Sequence, residues 1–198
     1  MKVTTKFIKS ATAVEQFPPP GPPEIAFLGR SNVGKSSLIN SLLGTKVAHV
    51  SATPGRTRAI NFFGIHTFPK QVEPELIFSD LPGYGYAKIS REISREWPKF
   101  IEPYIAERQT LRLCISLVDA NVPPQASDRQ LIEWLKNADR AFLVVATKSD
   151  RLSANKLRSA LNLLQREHQI ENILAYSAKT GAGKAELWKL IRRAGEGI

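Results

Sequence analysis

Residues Glu24–Asn40 read EIAFLGRSNVGKSSLIN, and the order of residue types in this stretch decides the fold. Ile25, Ala26, Phe27 and Leu28 form an unbroken apolar run, which reads as a buried strand. Leu38 and Ile39 fall on the opening turns of a helix. Between the two lies Gly29-Arg30-Ser31-Asn32-Val33-Gly34-Lys35-Ser36, with Ser37 following, which fits the phosphate-binding loop G-x-x-x-x-G-K-[ST]. The glycines let backbone N–H groups close around a phosphate, Lys35 reaches the β/γ-phosphates, and the Ser36 hydroxyl is a Mg²⁺ ligand. The helix starting here points its positive end at the same anion. A Gly/Ser turn can match so short a pattern by chance, but the strand before it and the helix after it are the context the chemistry requires.

At 198 residues the chain has room for one domain with a substantial core. No apolar run approaches a membrane span, and the lysine-bearing N-terminus lacks the continuous apolar segment of a secretory signal, so a cytoplasmic protein without a membrane partner is expected. The single cysteine, Cys114, lies in an apolar strand-like run and reads as a buried structural thiol. Lys and Arg outnumber Asp and Glu by 28 to 18, a net charge of +10. A nucleotide needs only a few cations, so the excess serves solubility or a polyanionic partner, for which RNA-rich particles are good candidates.

Val3–Ile8 is β-prone and either adds an edge strand or stays mobile. Five prolines between Phe17 and Pro23 exclude helix and central strand and read as a stiff connector. We therefore divide the chain into an extension, 1–23, and one nucleotide-binding domain, 24–198. Strand and helix then alternate: helix 35–43, strands 59–67 and 75–79 paired with each other, helix 90–109 with Pro98 and Pro103 expected to kink or split it, strand 111–119, helix 127–138, strand 141–147, helix 153–167 with Ser153 as N-cap, strand 173–177 and helix 183–193. The pattern predicts an α/β fold of three layers, a mostly parallel sheet with helices on both faces.

In such a sheet ligands gather at the carboxyl ends of the strands. After the strand 75–79 comes Asp80-Leu81-Pro82-Gly83, 45 residues past Lys35, where a carboxylate would face Mg²⁺ through a water and the Gly83 N–H would meet a γ-phosphate. After 141–147 comes Thr147-Lys148-Ser149-Asp150. Asp150 can accept from the N1–H and 2-amino group of guanine, a donor pair that adenine lacks, and the Lys148 stem can lie over the base. The amides of Ser177-Ala178-Lys179 would meet the guanine O6. In the loop before strand 59–67, Gly55, Arg56 and Thr57 are further nucleotide contacts, with Thr57 preferred to Thr53 as a Mg²⁺ ligand because it adjoins the strand. Lys35, Thr57 and Gly83 are the catalytic candidates.

The ordered set GRSNVGKS, PGRT, DLPG, TKSD and SAK resembles the translation-factor-related P-loop GTPases, and within them the EngB family of ribosome-biogenesis GTP-binding proteins. The most family-specific stretches are Gly29–Asn40, Pro54–Arg58 with Asn61–Phe63 after it, and Asp80–Lys88; the resemblance covers roughly residues 7 to 193. It implies a P-loop GTPase fold, binding of GTP and GDP with Mg²⁺, and a monomer that assists assembly of the large ribosomal subunit through its rRNA or protein. Two positions bear on mechanism. Tyr84 stands where Ras-like enzymes place a water-orienting glutamine, which implies slow intrinsic hydrolysis. Asn32 stands where related families use an asparagine to help bind potassium, which makes K⁺ a candidate second cation. The competing readings are a nucleotide-gated RNA- or ribosome-binding module with incidental hydrolysis, and a general NTPase or small-molecule kinase, which the guanine-reading TKSD disfavours.

Overall fold

Alternation along the central strands sorts the core onto two sides of a sheet. In the computed structural model, which describes residues 3–48, 59–68, 72–84 and 91–196 (with the side chains of 91–98 outside the description), seven strands form this sheet. They are β1 (Thr4–Ala11), β2 (Glu24–Gly29), β3 (Ile60–His66), β4 (Leu76–Asp80), β5 (Leu111–Asp119), β6 (Phe142–Thr147) and β7 (Ile173–Ala175). The helices are α1 (Lys35–Leu43), α2 (Arg91–Glu107), α3 (Ala126–Asn137), α4 (Ala154–His168) and α5 (Lys184–Gly195). Strand order is β1-β3-β4-β2-β5-β6-β7. The pairs β1–β3 and β3–β4 are antiparallel, and every other pair is parallel.

Ile25 and Phe27 point to one face, where α1 and α5 contribute Leu38, Leu42, Leu187, Trp188 and Ile191. Ala26 and Leu28 point to the other, where α2 and α3 contribute Ile101, Tyr104, Leu131 and Leu135. Farther along that second face, Val118, Val144 and Ala146 meet Ile132 of α3 and Leu164 of α4. With both faces covered, β2 is buried at every position, which is why its sequence is a run rather than an alternation. The three-layer α/β expectation therefore holds. Cys114 is fully buried on β5, and burial pushes its thiol up to about 12, in keeping with a structural role.

The extension joins the sheet. β1 is its edge strand, with a bulge between Phe7 and Lys9. The proline-rich connector is tied down: Arg108 donates to the Pro18 carbonyl at 2.9 Å while pairing with the fully buried Glu24 carboxylate at 2.5 Å. Thr110 and Tyr104 donate to the same carboxylate at 2.6 and 2.7 Å, so the buried charge is fully engaged.

Two local expectations differ from the structure. α2 is a single helix from Arg91 to Glu107, not split at Pro98 or Pro103. Each proline removes one backbone hydrogen bond, but Phe100, Ile101, Tyr104 and Ile105 are buried against the sheet and hold the segment in register. Ser153 occupies the N-cap position of α4 in extended backbone, yet its side chain makes no capping bond; the Leu157 N–H closes onto its carbonyl at 2.8 Å.

Candidate functional site

β2 ends at Gly29 and α1 begins at Lys35, so the phosphate-binding pattern forms the turn between them. Gly34 sits at the N-cap with φ 104°, a left-handed backbone that a side chain would strain. The Leu38 N–H closes onto the Gly34 carbonyl at 2.9 Å, while the N–H groups of Lys35, Ser36 and Ser37 have no acceptor within the helix. They converge where the helix dipole is positive.

β4 lies beside β2 in parallel, Phe27 opposite Asp80, so Asp80 arrives next to the turn. Its buried carboxylate forms an ion pair with the Lys35 ammonium. Ser36 and Asp80 supply hydroxyl and carboxylate oxygens, the hard donors Mg²⁺ takes when phosphates complete its shell. The sequence-selected residues at this end therefore fit the ion. No cluster of three or more His, Cys, Asp or Glu side chains that could hold a metal ion is found among the described residues. Gly83 packs on Ser31: a Cβ there would lie 3.1 Å from the Ser31 N and Oγ.

Tyr84 forms an isolated parallel bridge with Arg30, and its carbonyl accepts from the Ser31 N–H at 3.1 Å. Its hydroxyl donates to Asp128 at 3.0 Å, directing the half-buried ring toward the first turn of α3. Burial raises the Asp128 carboxyl to about 6, although the Tyr84 hydrogen bond and the nearby Arg30 charge pull it down. Burial, together with the Asp128 charge, holds the Tyr84 hydroxyl well above its ordinary value.

The loop after β6 closes the other end. Thr147 donates to the Val33 carbonyl at 2.6 Å, with the Val118 carbonyl 3.1 Å away. Lys148 donates to the Asn32 carbonyl at 2.9 Å and to Asp119 at 2.6 Å. Both bridging residues have left-handed backbones, φ 65° at Asn32 and 58° at Lys148. The Asp119 carboxyl is held below its ordinary value: burial opposes this, but the bonds from Lys148 and Asn121 outweigh it. Asp150 accepts from the Ser177 hydroxyl at 2.7 Å, which holds its carboxyl below the ordinary value, and the Ser149 N–H donates to the Tyr176 carbonyl at 3.2 Å.

A cleft of about 950 Å³ runs from Gly34 and Ser37 past Thr147, Lys148 and Asp150 to Ala178 and Lys179. Its far wall is the end of α1 with Thr45 and Lys46. Residues far apart in the chain, from the P-loop, TKSD and SAK, thus line one cavity of a size suited to a small ligand. Gly55, Arg56, Thr57 and Thr53 lie outside the described residues. Sequence reasoning missed the supports: Asp119 under Lys148, the Ser177 hydroxyl on Asp150, and Asp128 on Tyr84. Asp119 ends a buried strand at the ligand-binding edge, a position that offered a signal; the other two pairings have none in local sequence.

Comparison with known proteins agrees with this geometry. The family described as 50S ribosome-binding GTPase matches residues 24–148. A probable GTP-binding protein EngB of Acidobacterium capsulatum is 62% identical, the match covering 98% of this chain and 92% of that one. Its counterpart in Aquifex aeolicus is 45% identical over 89% of this chain and 93% of its own. Among solved structures, a probable GTP-binding protein EngB superposes with a TM-score of 0.69 at 22% identity, covering 88% of this chain and all of that one, which speaks for the fold. Era, solved in complex with MgGDPNP and nucleotides 1506–1542 of 16S ribosomal RNA, gives 0.71 at 27% identity over 87% of this chain and 56% of its own. No helix among the described residues is long and apolar enough to cross a membrane. The chain is a guanine-nucleotide-binding GTPase that belongs to the 50S ribosome-binding GTPase family and, by its relatives, to the EngB proteins.

Proposed function

We propose that this GTPase is a switch that assists assembly of the large ribosomal subunit, acting in the cytoplasm as a monomer, with residues 24–198 as its nucleotide-binding domain. The observation that carries the site assignment is the pair of bridges joining its two ends, Thr147 to the Val33 carbonyl and Lys148 to the Asn32 carbonyl. They set a phosphate cradle and a guanine-reading carboxylate on one cleft. The amides from Gly29 to Ser37 hold the phosphates, Lys35 neutralises the β/γ charge, and Asp150 accepts from guanine while Thr147, Lys148 and Ser149 shape its bed. The amides of Ser177, Ala178 and Lys179 meet the O6. Ser36, Thr57 and, through a water, Asp80 would hold Mg²⁺, which when bound would supply charge compensation at the phosphates. Gly55, Arg56, Leu81, Pro82 and Gly83 complete the set that responds to the γ-phosphate, and Asn32 offers a place for K⁺.

The matched family's description names the 50S ribosome, Era has been solved with ribosomal RNA, and the +10 charge of this chain suits the same class of partner. Sedimentation with ribosomal subunits in GTP, a non-hydrolysable analogue and GDP tests the reading. Binding to the large subunit with GTP and release only after cleavage is expected; binding indifferent to nucleotide overturns it.

A second reading, a nucleotide-gated binding module with incidental hydrolysis, draws on Tyr84. Its hydroxyl is spent on Asp128, and the residue at this position is no glutamine, so intrinsic hydrolysis is slow. Release in the non-hydrolysable analogue at the rate seen with GTP favours this reading. Single-turnover hydrolysis by the free protein within seconds contradicts the slow rate.

A further inference from the structure

The nucleotide cleft leaves the antiparallel edge of the sheet without a use. Seven large apolar side chains are exposed among the described residues, and four of them, Phe7, Ile8, Phe68 and Val72, belong to β1 or the β3–β4 connection. Thr4 pairs with His66 and Phe7 with Phe63, so the start of β1 lies against the end of β3 from which that connection leaves. The Phe7 ring stands edge-on to Phe63 with centroids 5.8 Å apart, yet is 59% exposed. Ile8 and Pro74 both reach over Gly64, which joins the strand to the turn as one apolar surface. Phe68 is 71% exposed.

Lys6 and Lys9 flank Phe7 and Ile8, and β1 carries no carboxylate. On the turn, Glu75 accepts from the Thr67 hydroxyl, leaving Glu73 as the other acid there. A protein strand added to this edge would have to follow a bulge between Phe7 and Lys9, and bulges and edge lysines both discourage strand addition. Rings beside lysines on a chain of net charge +10 suit a different ligand. Single-stranded RNA stacks its bases on exposed aromatics and lays its phosphates on cations.

We propose that β1 and the adjoining β3–β4 turn form a docking surface for single-stranded RNA, with Phe7 and Phe68 as stacking rings and Lys6 and Lys9 as phosphate contacts. The proposal rests on the ribosomal reading above and gives that partner a point of contact away from the nucleotide cleft.

The test is fluorescence anisotropy of an unstructured, labelled single-stranded RNA of about 15 nucleotides titrated with the full chain at several salt concentrations. Phe68→Ala, at a largely exposed side chain, is expected to weaken binding about fivefold or more. Phe7→Ala should do the same. Lys6→Ala with Lys9→Ala should reduce the slope of log K against log salt by about 1.4, near 0.7 for each phosphate. GTP hydrolysis by the free protein should stay unchanged in all three. Wild-type affinity and slope in both Phe68→Ala and the double lysine variant overturn the proposal. So does loss of ribosomal-particle binding with RNA affinity intact, which assigns the surface to a protein partner and leaves the ribosomal reading standing. Wild-type protein that sediments with no particle in any nucleotide state defeats the ribosomal reading, while the anisotropy result still decides the surface.

Discussion

The Ser177 hydroxyl donates to the Asp150 carboxylate at 2.7 Å, so the group assigned to the guanine edge is aimed by a residue from a different loop. Removing the hydroxyl in Ser177→Ala leaves the carboxylate charged but unaimed. GDP affinity should fall about fivefold, the worth of one hydrogen bond of about 1 kcal/mol, with guanine still preferred. Asp150→Asn should instead shift preference toward xanthine. Competition between labelled guanine and xanthine nucleotides reads both, and an unchanged base preference in Asp150→Asn refutes the assignment.

Gly83 is crowded against the phosphate loop, so a side chain there requires Ser31 to give by a few tenths of an ångström. A Cβ would sit 3.1 Å from two Ser31 atoms and 3.3 Å from its Cα. Gly83→Ala should push the DLPG segment off the phosphate loop and lower the hydrolysis rate by about tenfold to a hundredfold, with GDP affinity nearly unchanged. Single-turnover kinetics beside equilibrium GDP binding separate the two effects.

Thr147 holds the phosphate loop from below through the Val33 carbonyl. Thr147→Val keeps the shape and removes the donor. The stranded carbonyl should cost about 1–3 kcal/mol, seen as a fall in Tm of about 3–10 °C for a domain of this size. Bound GDP should recover part of the loss. A Tm within one degree of wild type would show that Thr147 carries no such load.

Asp128 should make stability depend on pH. Its carboxyl titrates at about 6 in the folded chain against about 3.9 when unfolded. The folded state therefore binds the proton more tightly, and stability from this group falls as pH rises from about 4 through 6. Asp128→Asn accepts from Tyr84 without the buried charge. The difference in Tm, variant minus wild type, should grow more positive between about pH 4.5 and 7. A difference that is flat with pH, or shrinks, contradicts the burial argument.

If Asn32 helps to place potassium, hydrolysis should be about tenfold or more faster in K⁺ than in Na⁺ at matched ionic strength. Asn32→Ala should erase that ratio, even though the Asn32 carbonyl still accepts from Lys148. Equal rates in the two salts reject the cation role.

Much of the architecture was legible because it is written locally. α1 spans Lys35–Leu43 as read, since Gly34 and Gly44 bracket it, and the Gly44 N–H closes the helix on the Asn40 carbonyl at 2.9 Å. β5 and β6 announce themselves as apolar runs because helices cover both sides of the sheet. The ordered loops of the site were visible for the same reason, each following a recognisable strand. Contacts between distant residues were not. Tyr84 with Asp128, Lys148 with Asp119 and Glu24 with Arg108 depend on the sheet order bringing strands side by side, and no local pattern announces the partner. The split expected in α2 is absent on the same account, since Phe100, Ile101, Tyr104 and Ile105 pack against the sheet and keep it one helix past both prolines.

The described residues on either side of positions 49–58 are both anchored. On one side the Asn40 amide accepts from the Val47 and Ala48 N–H groups at 2.9 and 2.8 Å and donates to the Ala48 carbonyl at 2.8 Å. On the other, Ile60 is zipped to Ala11 of the edge strand. Twelve residue steps separate Ala48 from Ile60, a contour of about 40 Å, so by connectivity alone no residue between them can stand farther than about 20 Å from the nearer clamp. A shift of the first helix or of the sheet edge therefore moves one of the two fixed points from which the chain reaches position 57.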